Sequence, residues 1–352
     1  MKQPSLALGL VLPLFAGLTP AQTLEVGMAA PPLEIAKWVK GDAVDAFQPG
    51  RVYVVEFWAT WCGPCIASMP HLSKLQAEYK AKGVTIIGVT KADPHNTIEG
   101  VQAMVADKGD GMAYTVAWDK DHATSDAYMR AAKQGGIPTA FLIDRTGKVV
   151  YIGHPAVLDI PLEAVVEGTW DATKGEQVIE TRMKHISDAV EAVAKQSDGA
   201  EAALAAAVGK SAGLVHLADQ MLYQKLIEDG AADRAAVVAA RLVDAAIADK
   251  DASALNDIAW GIVDPEQKSD KRDLELAMKA ASKAVEFSKE KDGAILDTLA
   301  RVWFWKRDYQ KALELQTKAC KLDARADLAK SLEEYQKLVG KGEGKSVGNS
   351  GK

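Results

Sequence analysis

Apolar positions along the chain fall into two regimes. From residue 22 to about 168, short and nearly unbroken apolar runs alternate with stretches of helical spacing. Val52 to Phe57 reads as a strand, and so does Val84 to Val89. A strand covered on both faces of a sheet loses the polar alternation of a half-exposed one. Between these runs the spacing predicts a helix from about Cys62 to Lys82, punctuated by Pro70. Further on it predicts a helix over Thr97 to Ala106, a short strand over Tyr114 to Trp118 and a helix over His122 to Lys133. Thr139 to Ile143 and Lys148 to Ile152 read as hairpin strands about a turn at Asp144-Arg145-Thr146-Gly147, and Leu162 to Val166 as a short closing helix. This order implies an α/β sheet with helices on both faces.

The second regime begins after Trp170. Strand signals vanish, and Ala, Leu, Glu and Lys dominate as far as Leu338. Ala202 to Ala207, Leu214 to Ile227 and Ala235 to Ile247 suit helices, with Gly230 and Asp251 as breakers or caps. A repeat follows, because Leu274 to Phe287 and Tyr309 to Leu322 share an alanine pattern. Ala277 aligns with Ala312 and Ala284 with Ala319, each 35 residues on. Leu255-Asn256-Asp257-Ile258-Ala259 resembles Leu296-Asp297-Thr298-Leu299-Ala300 at an offset of 41, which gives the first unit a longer loop around Val263 to Asp273. A period near 34 residues with small residues on facing helices resembles the tetratricopeptide pattern. The expected division is a signal peptide over 1–21, an α/β domain over 22–170, a helical linker over 171–200, a tetratricopeptide-like all-α domain over 201–339 and a disordered tail over 340–352.

Length and composition agree with two domains. The chain has 352 residues, 48% hydrophobic and 26% charged, with a formal net charge of −6. That mild acidity, with Lys and Arg dispersed, argues against nucleic acid or an anionic membrane as a partner. The N-terminus reads as an export signal. Lys2 precedes an uncharged apolar run from Leu6 to Leu18, and Thr19-Pro20-Ala21 supplies small residues for cleavage before Gln22. The run is shorter than the roughly 20 residues of a comfortable membrane span, with an uncleaved anchor or buried helix as the alternative. No later segment is apolar enough to span a bilayer after signal removal. Export to a bacterial periplasm is the expectation.

Cysteine usage sharpens this. The three cysteines are Cys62, Cys65 and Cys320, too few for the disulfide framework of a small exported domain. Disulfide exchange needs one thiol ionised near neutral pH and a second that releases the trapped product. A CxxC opening a helix supplies both. Cys62 then sits at the helix N-terminus, where unpaired amides and the macrodipole favour its thiolate, and Cys65 lies one turn in, close enough to bond with it. Pro64 suits an early helical position, where its missing N–H costs nothing. A zinc site would need a second CxxC or histidines at ligand spacing, and neither is present. Cys320, on a helical apolar face, reads as an inert small hydrophobe. His71 and His154 read as surface or packing residues.

The stretch Val54-Val55-Glu56-Phe57-Trp58-Ala59-Thr60-Trp61-Cys62-Gly63-Pro64-Cys65 resembles the thioredoxin active-site segment nearly throughout. Pro70 matches the proline that kinks the active-site helix of that family. Gly136-Ile137-Pro138-Thr139 matches its cis-proline loop, and Phe141-Leu142-Ile143-Asp144 the strand that follows. Within the superfamily, residues 25 to 170 look most like exported redoxins of the TlpA and ResA type. Gly147-Lys148-Val149-Val150-Tyr151-Ile152-Gly153-His154-Pro155 fits them too. The peroxiredoxin pattern is absent, since Ala59 and Val55 stand where its Thr and Pro would be.

The resemblance implies a thioredoxin-like fold, a mixed sheet flanked by helices, and an exported thiol–disulfide oxidoreductase without cofactor or metal. Cys62 attacks a substrate disulfide and Cys65 resolves the mixed disulfide, leaving a Cys62–Cys65 bridge. Trp61, Gly63, Pro64, Ile137 and Pro138 form the substrate surface. Glu56 stands where thioredoxin has a buried Asp and would take the proton from Cys65. Gly63-Pro64 is the dipeptide of reducing thioredoxins, whose potential is about −270 mV, so the implied direction is reductive. The partners expected are a disulfide-containing protein substrate, an electron-donor protein not encoded here and a protein bound by the helical repeats. The rival reading is a scaffold that acts through those repeats and uses its redox domain as a tether or sensor.

Overall fold

A computed structural model describes residues 23–266 and 272–341. The signal peptide expected over 1–21, and the tail expected from 340 apart from Gly340 and Lys341, lie outside them.

The α/β part runs β1 (Ile35–Lys40), β2 (Val52–Phe57), α1 (Gly63–Tyr79), β3 (Val84–Thr90), α2 (Ile98–Lys108), β4 (Thr115–Asp119), α3 (Ala123–Ser125), β5 (Thr139–Ile143), β6 (Val149–Gly153) and α4 (Asp159–Glu167). Among the described residues the strands form one six-stranded sheet in the order β1-β4-β3-β2-β5-β6. β2 pairs parallel with β3, and β3 with β4, while β1, β5 and β6 join antiparallel. Every residue of β2 is buried, the reason its sequence lacks alternation. The two faces of β2 feed two cores. Val52, Val54 and Trp58 join Met69, Leu72 and Leu75 of α1, whereas Tyr53, Val55 and Phe57 join Tyr128 and Phe141. Glu56 has the parity of the first set and therefore faces α1. The helix expected over His122 to Lys133 is a short α3 continued by a π-helical turn, Asp126–Arg130. It packs Tyr128 edge-on to Phe141, with ring centroids 5.1 Å apart.

The remainder is helical: α5 (Gly175–Ala194), α6 (Ala200–Val208), α7 (Ala212–Glu228), α8 (Ala232–Ala248), α9 (Ala252–Val263), α10 (Leu274–Ser288), α11 (Gly293–Trp305), α12 (Tyr309–Leu322) and α13 (Ala326–Gly340). Ser211, Asp251, Asp273, Asp292 and Asp308 cap five of these helices, each side chain accepting from a first-turn amide. The four alanines of the repeat, Ala277, Ala284, Ala312 and Ala319, are fully buried, so the small residues stand where neighbouring helices approach. The stretch 171–200, expected as a helical linker, is mostly the 20-residue helix α5. Its Ile186, Val190 and Val193 belong to the same core as α7 to α11.

The two parts are fastened beside the sheet. His71 Nε2 on α1 lies 2.7 Å from Asp159 Oδ2 at the start of α4. The other oxygen of Asp159 accepts from the hydroxyl of Ser211, which caps α7. The α7 backbone comes so near at Gly213 that a Cβ there would fall 2.1 Å from His71 Cε1 and 2.8 Å from both Asp159 oxygens. Lys74 of α1 pairs with Asp249 at 2.8 Å. Gly213→Ala is therefore expected to cost about 1–3 kcal/mol by overpacking. The readouts are a lower thermal midpoint and faster proteolysis between α4 and α7. Unchanged values for both would show that this contact does not hold the two parts together.

Candidate active site

The site grows from the point where α1 begins. Cys62 is its N-cap, with φ −83° and ψ 98°, and its sulfur accepts from the Cys65 amide at 3.2 Å. Gly63 opens the helix and Pro64 follows, so the missing proline N–H falls where no intrahelical partner exists. No acidic residue occupies the first turn, and nothing there opposes the partial positive charge that the amides direct at Cys62. Cys62 and Cys65 are joined as a disulfide, with Cα atoms 5.2 Å apart.

Two loops frame the pair. One carries the cis Ile137–Pro138 bond, and the carbonyl oxygen of Ile137 lies 3.7 Å from the Cys62 sulfur. The Thr139 hydroxyl donates to Gly136 O at 2.8 Å and ties that loop to β5. The other loop follows β3. There Asn96, 1% exposed, accepts from the Thr60 amide at 3.0 Å and the Thr60 hydroxyl at 2.8 Å. The Asn96 amide group donates to Thr90 and to the Lys91 carbonyl. Trp61, 55% exposed, donates from Nε1 to Asp93 at 2.9 Å. A cleft of about 470 Å³ lies between the two loops, walled by Trp61, Asp93, Gln134 and Ile137 and floored by Phe57 and Ala59. Gly63 and Pro64, at the start of α1, also line clefts shared with the helical part.

Glu56 lies beneath α1. It is 1% exposed and neither carboxylate oxygen has a hydrogen-bond partner. Its register neighbours are Gly88 on β3 and Ala140 on β5. Burial alone pushes its pKa from 4.5 up to about 8. Cys65, 1% exposed, belongs to the same α1-facing core.

Among the described residues no group of three or more His, Cys, Asp or Glu side chains is placed to hold a metal ion. Cys320 on α12 is a free thiol packed near Leu296, Ala319 and Leu328, and burial pushes its pKa up. His71, read as a surface or packing residue, is the α1 end of the contact with Asp159.

The redoxin family profile matches residues 25–163. FixW of Rhizobium leguminosarum is 30% identical over 157 residues, which span 44% of this chain and 71% of that one. The thiol–disulfide oxidoreductase ResA of Bacillus thuringiensis is 33% identical over 130 residues, 37% of this chain and 69% of its own. The chain belongs to the redoxin family. The matched part of this redoxin is the α/β domain, and with its paired cysteines it is a thiol–disulfide oxidoreductase. A solved structure of a putative thiol:disulfide interchange protein DsbE from Chlorobium tepidum, 29% identical, aligns over 41% of this chain and 99% of its own, with a TM-score of 0.33.

Sequence reasoning missed the ties that hold this redoxin's site in place. Asn96 and Asp93 sit in a polar loop whose composition marks only a turn. Their partners Thr60 and Trp61 are more than thirty residues away.

Proposed function

We propose that this redoxin reduces disulfides in protein substrates, with Cys62 as nucleophile, Cys65 as resolving thiol and Glu56 as the proton acceptor. The observation that carries the reading is a redox pair at a helix N-terminus, beside an extended loop and above a buried carboxylate without a partner. In the reduced state the Cys62 thiolate attacks one sulfur of the substrate disulfide. A mixed disulfide forms and the other substrate sulfur departs as a thiolate. Cys65 then attacks Cys62, its proton passes to Glu56, and the Cys62–substrate bond breaks to release the second substrate thiolate. Two electrons have moved from the protein dithiol to the substrate, and a donor protein must return them.

The substrate segment lies extended along Ile137 and Pro138, adding its backbone beside the loop and resting on Trp61, Gly63 and Pro64. The exposed Trp61 face and the Ile137 carbonyl near the Cys62 sulfur support that path. Export to the periplasm is part of the proposal, supported by Lys2, the apolar run and the small residues before Gln22. The helical part, with its repeated alanine pattern and tetratricopeptide-like period, is proposed to hold a protein partner.

Insulin reduction by the full chain, with a thiol donor supplied, is the direct test. Robust reduction that Cys62→Ser abolishes is expected. Inactivity of the reduced protein, with partner binding retained, would favour the scaffold reading.

A further inference from the structure

Two other polar groups share the buried space around Glu56. The two oxygens of its carboxylate, the Trp58 indole Nε1 and the Tyr114 hydroxyl are all buried without a hydrogen-bond partner. They converge because of one residue. Gly88, the register neighbour of Glu56, carries no side chain, and a Cβ there would fall 2.9 Å from Tyr114 Cε2 and 3.1 Å from Trp58 Nε1. The tyrosine ring and the indole thus occupy the place where a β3 side chain would stand. Tyr114 and Trp58 are 3% exposed and belong, with Cys65, to the α1-facing core.

Chance burial accounts poorly for this set. An unpartnered buried polar group forfeits its hydration with nothing in return, so several in one place call for a shared partner. Their chemistry is complementary. An indole N–H donates only, a phenol donates or accepts, and an ionised carboxylate accepts only. Two donors face one acceptor, and buried water with two or more polar neighbours joins such groups at a small cost.

We propose that Tyr114 is a positioning residue for Glu56: its hydroxyl and the Trp58 indole N–H, through buried water, donate to the carboxylate and hold it ready for the Cys65 proton. The inference rests on Glu56 as proton acceptor and adds what makes that role workable. A carboxylate in an apolar core resists ionising, and donors aimed at the ionised form oppose that resistance. Burial raises the Glu56 pKa, and the Glu56 charge is one of the causes that raise that of Tyr114, as expected of groups that feel each other. Tyr114, just before β4, is a titratable group that feels the Glu56 charge, and Cys65 on α1 shares the core cluster of Tyr114.

Tyr114→Phe removes one oxygen and keeps the ring. In the reduced full-length protein, ¹³C-carboxyl NMR should show the Glu56 signal, assigned by its loss in Glu56→Gln, titrating about one pH unit higher in Tyr114→Phe. The pH midpoint of the Cys65 resolving step should move up with it, while the initial attack by Cys62 keeps its rate. In a Glu56→Gln background Tyr114→Phe should add nothing. Gly88→Ala, which pushes the ring aside, should shift the titration in the same direction. An unmoved Glu56 titration in a folded Tyr114→Phe protein overturns the proposal. So does an equal change of the resolving step in the Glu56→Gln background. If Glu56→Gln itself leaves the resolving step unchanged, the proton-acceptor reading fails, and the NMR titration still reports the contact.

Discussion

Cys65→Ser is expected to turn the protein into a trap that accumulates mixed disulfides through Cys62. The two sulfurs occupy different places on one helix. Cys62 is the cap, facing the N-terminal amides and the Ile137 carbonyl, and Cys65 is one turn in and 1% exposed. A thiolate at the cap is the better stabilised of the two, and it faces the loop along which a substrate would lie. Once it has attacked, release depends on a second thiol held one turn away, an arrangement that no dissolved thiol matches at ordinary concentration. Removing that thiol should slow release on the order of 10³-fold or more. On a non-reducing gel, substrate-sized adducts should appear with Cys65→Ser, vanish with reductant and be absent from the Cys62→Ser, Cys65→Ser double variant. Mass spectrometry should place the bond at Cys62. In the reduced wild-type protein, brief alkylation at mildly acidic pH should label Cys62 first. Adducts through Cys320, or labelling of Cys65 ahead of Cys62, would reverse the assignment.

The parts of the fold that were legible are those whose burial is simple. β2 and β3 are covered on both faces, so unbroken apolar runs marked them with bounds within a residue. β1 carries no such mark because it is an edge strand, half-exposed, paired with β4 through two register irregularities that break the period of two. α5 lies in the expected helical linker, and a polar face dominates its composition. Only its buried stripe of Ile186, Ala189, Val190 and Val193 reveals which core it serves. At the site, the CxxC and the Gly136-Ile137-Pro138-Thr139 loop are local patterns and could be read directly. The contacts that place them are not local. Asn96 reaches Thr60 across 36 residues, and Ser211 reaches Asp159 across 52. Gly88 is the sharpest case. In sequence it is an unremarked glycine inside a strand, and its use is visible only when Glu56, Trp58 and Tyr114 are seen around it.

Glu56→Gln should separate kinetics from stability in opposite directions. In the oxidised protein the carboxyl sits among apolar groups, and burial moves its pKa from 4.5 to about 8. Below pH 4.5 folded and unfolded chains both carry the proton, and the shift has no effect on stability. As pH rises from there the unfolded chain loses the proton and the folded chain keeps it. Stability then falls by about 1.4 kcal/mol per pH unit until the folded carboxyl ionises near pH 8. The accumulated penalty at pH 8 is on the order of 4 kcal/mol, an upper figure because water entry and relaxation soften it. Glutamine keeps the shape, never ionises and offers a carbonyl to the same donors. The thermal midpoint of wild type should therefore decline relative to Glu56→Gln between pH 5 and pH 8, and the two should converge near pH 4. Catalysis should change the other way. The resolving step should slow roughly 10²-fold at neutral pH, the usual worth of a positioned base, while attack by Cys62 on a small disulfide changes little. Stopped-flow measurements resolve the two steps, and thermal melts across the pH range give the stability curve. A stability difference that stays flat from pH 4 to pH 8 would mean that Glu56 titrates as an ordinary carboxylate. An unaltered resolving step would mean that the Cys65 proton leaves by another route.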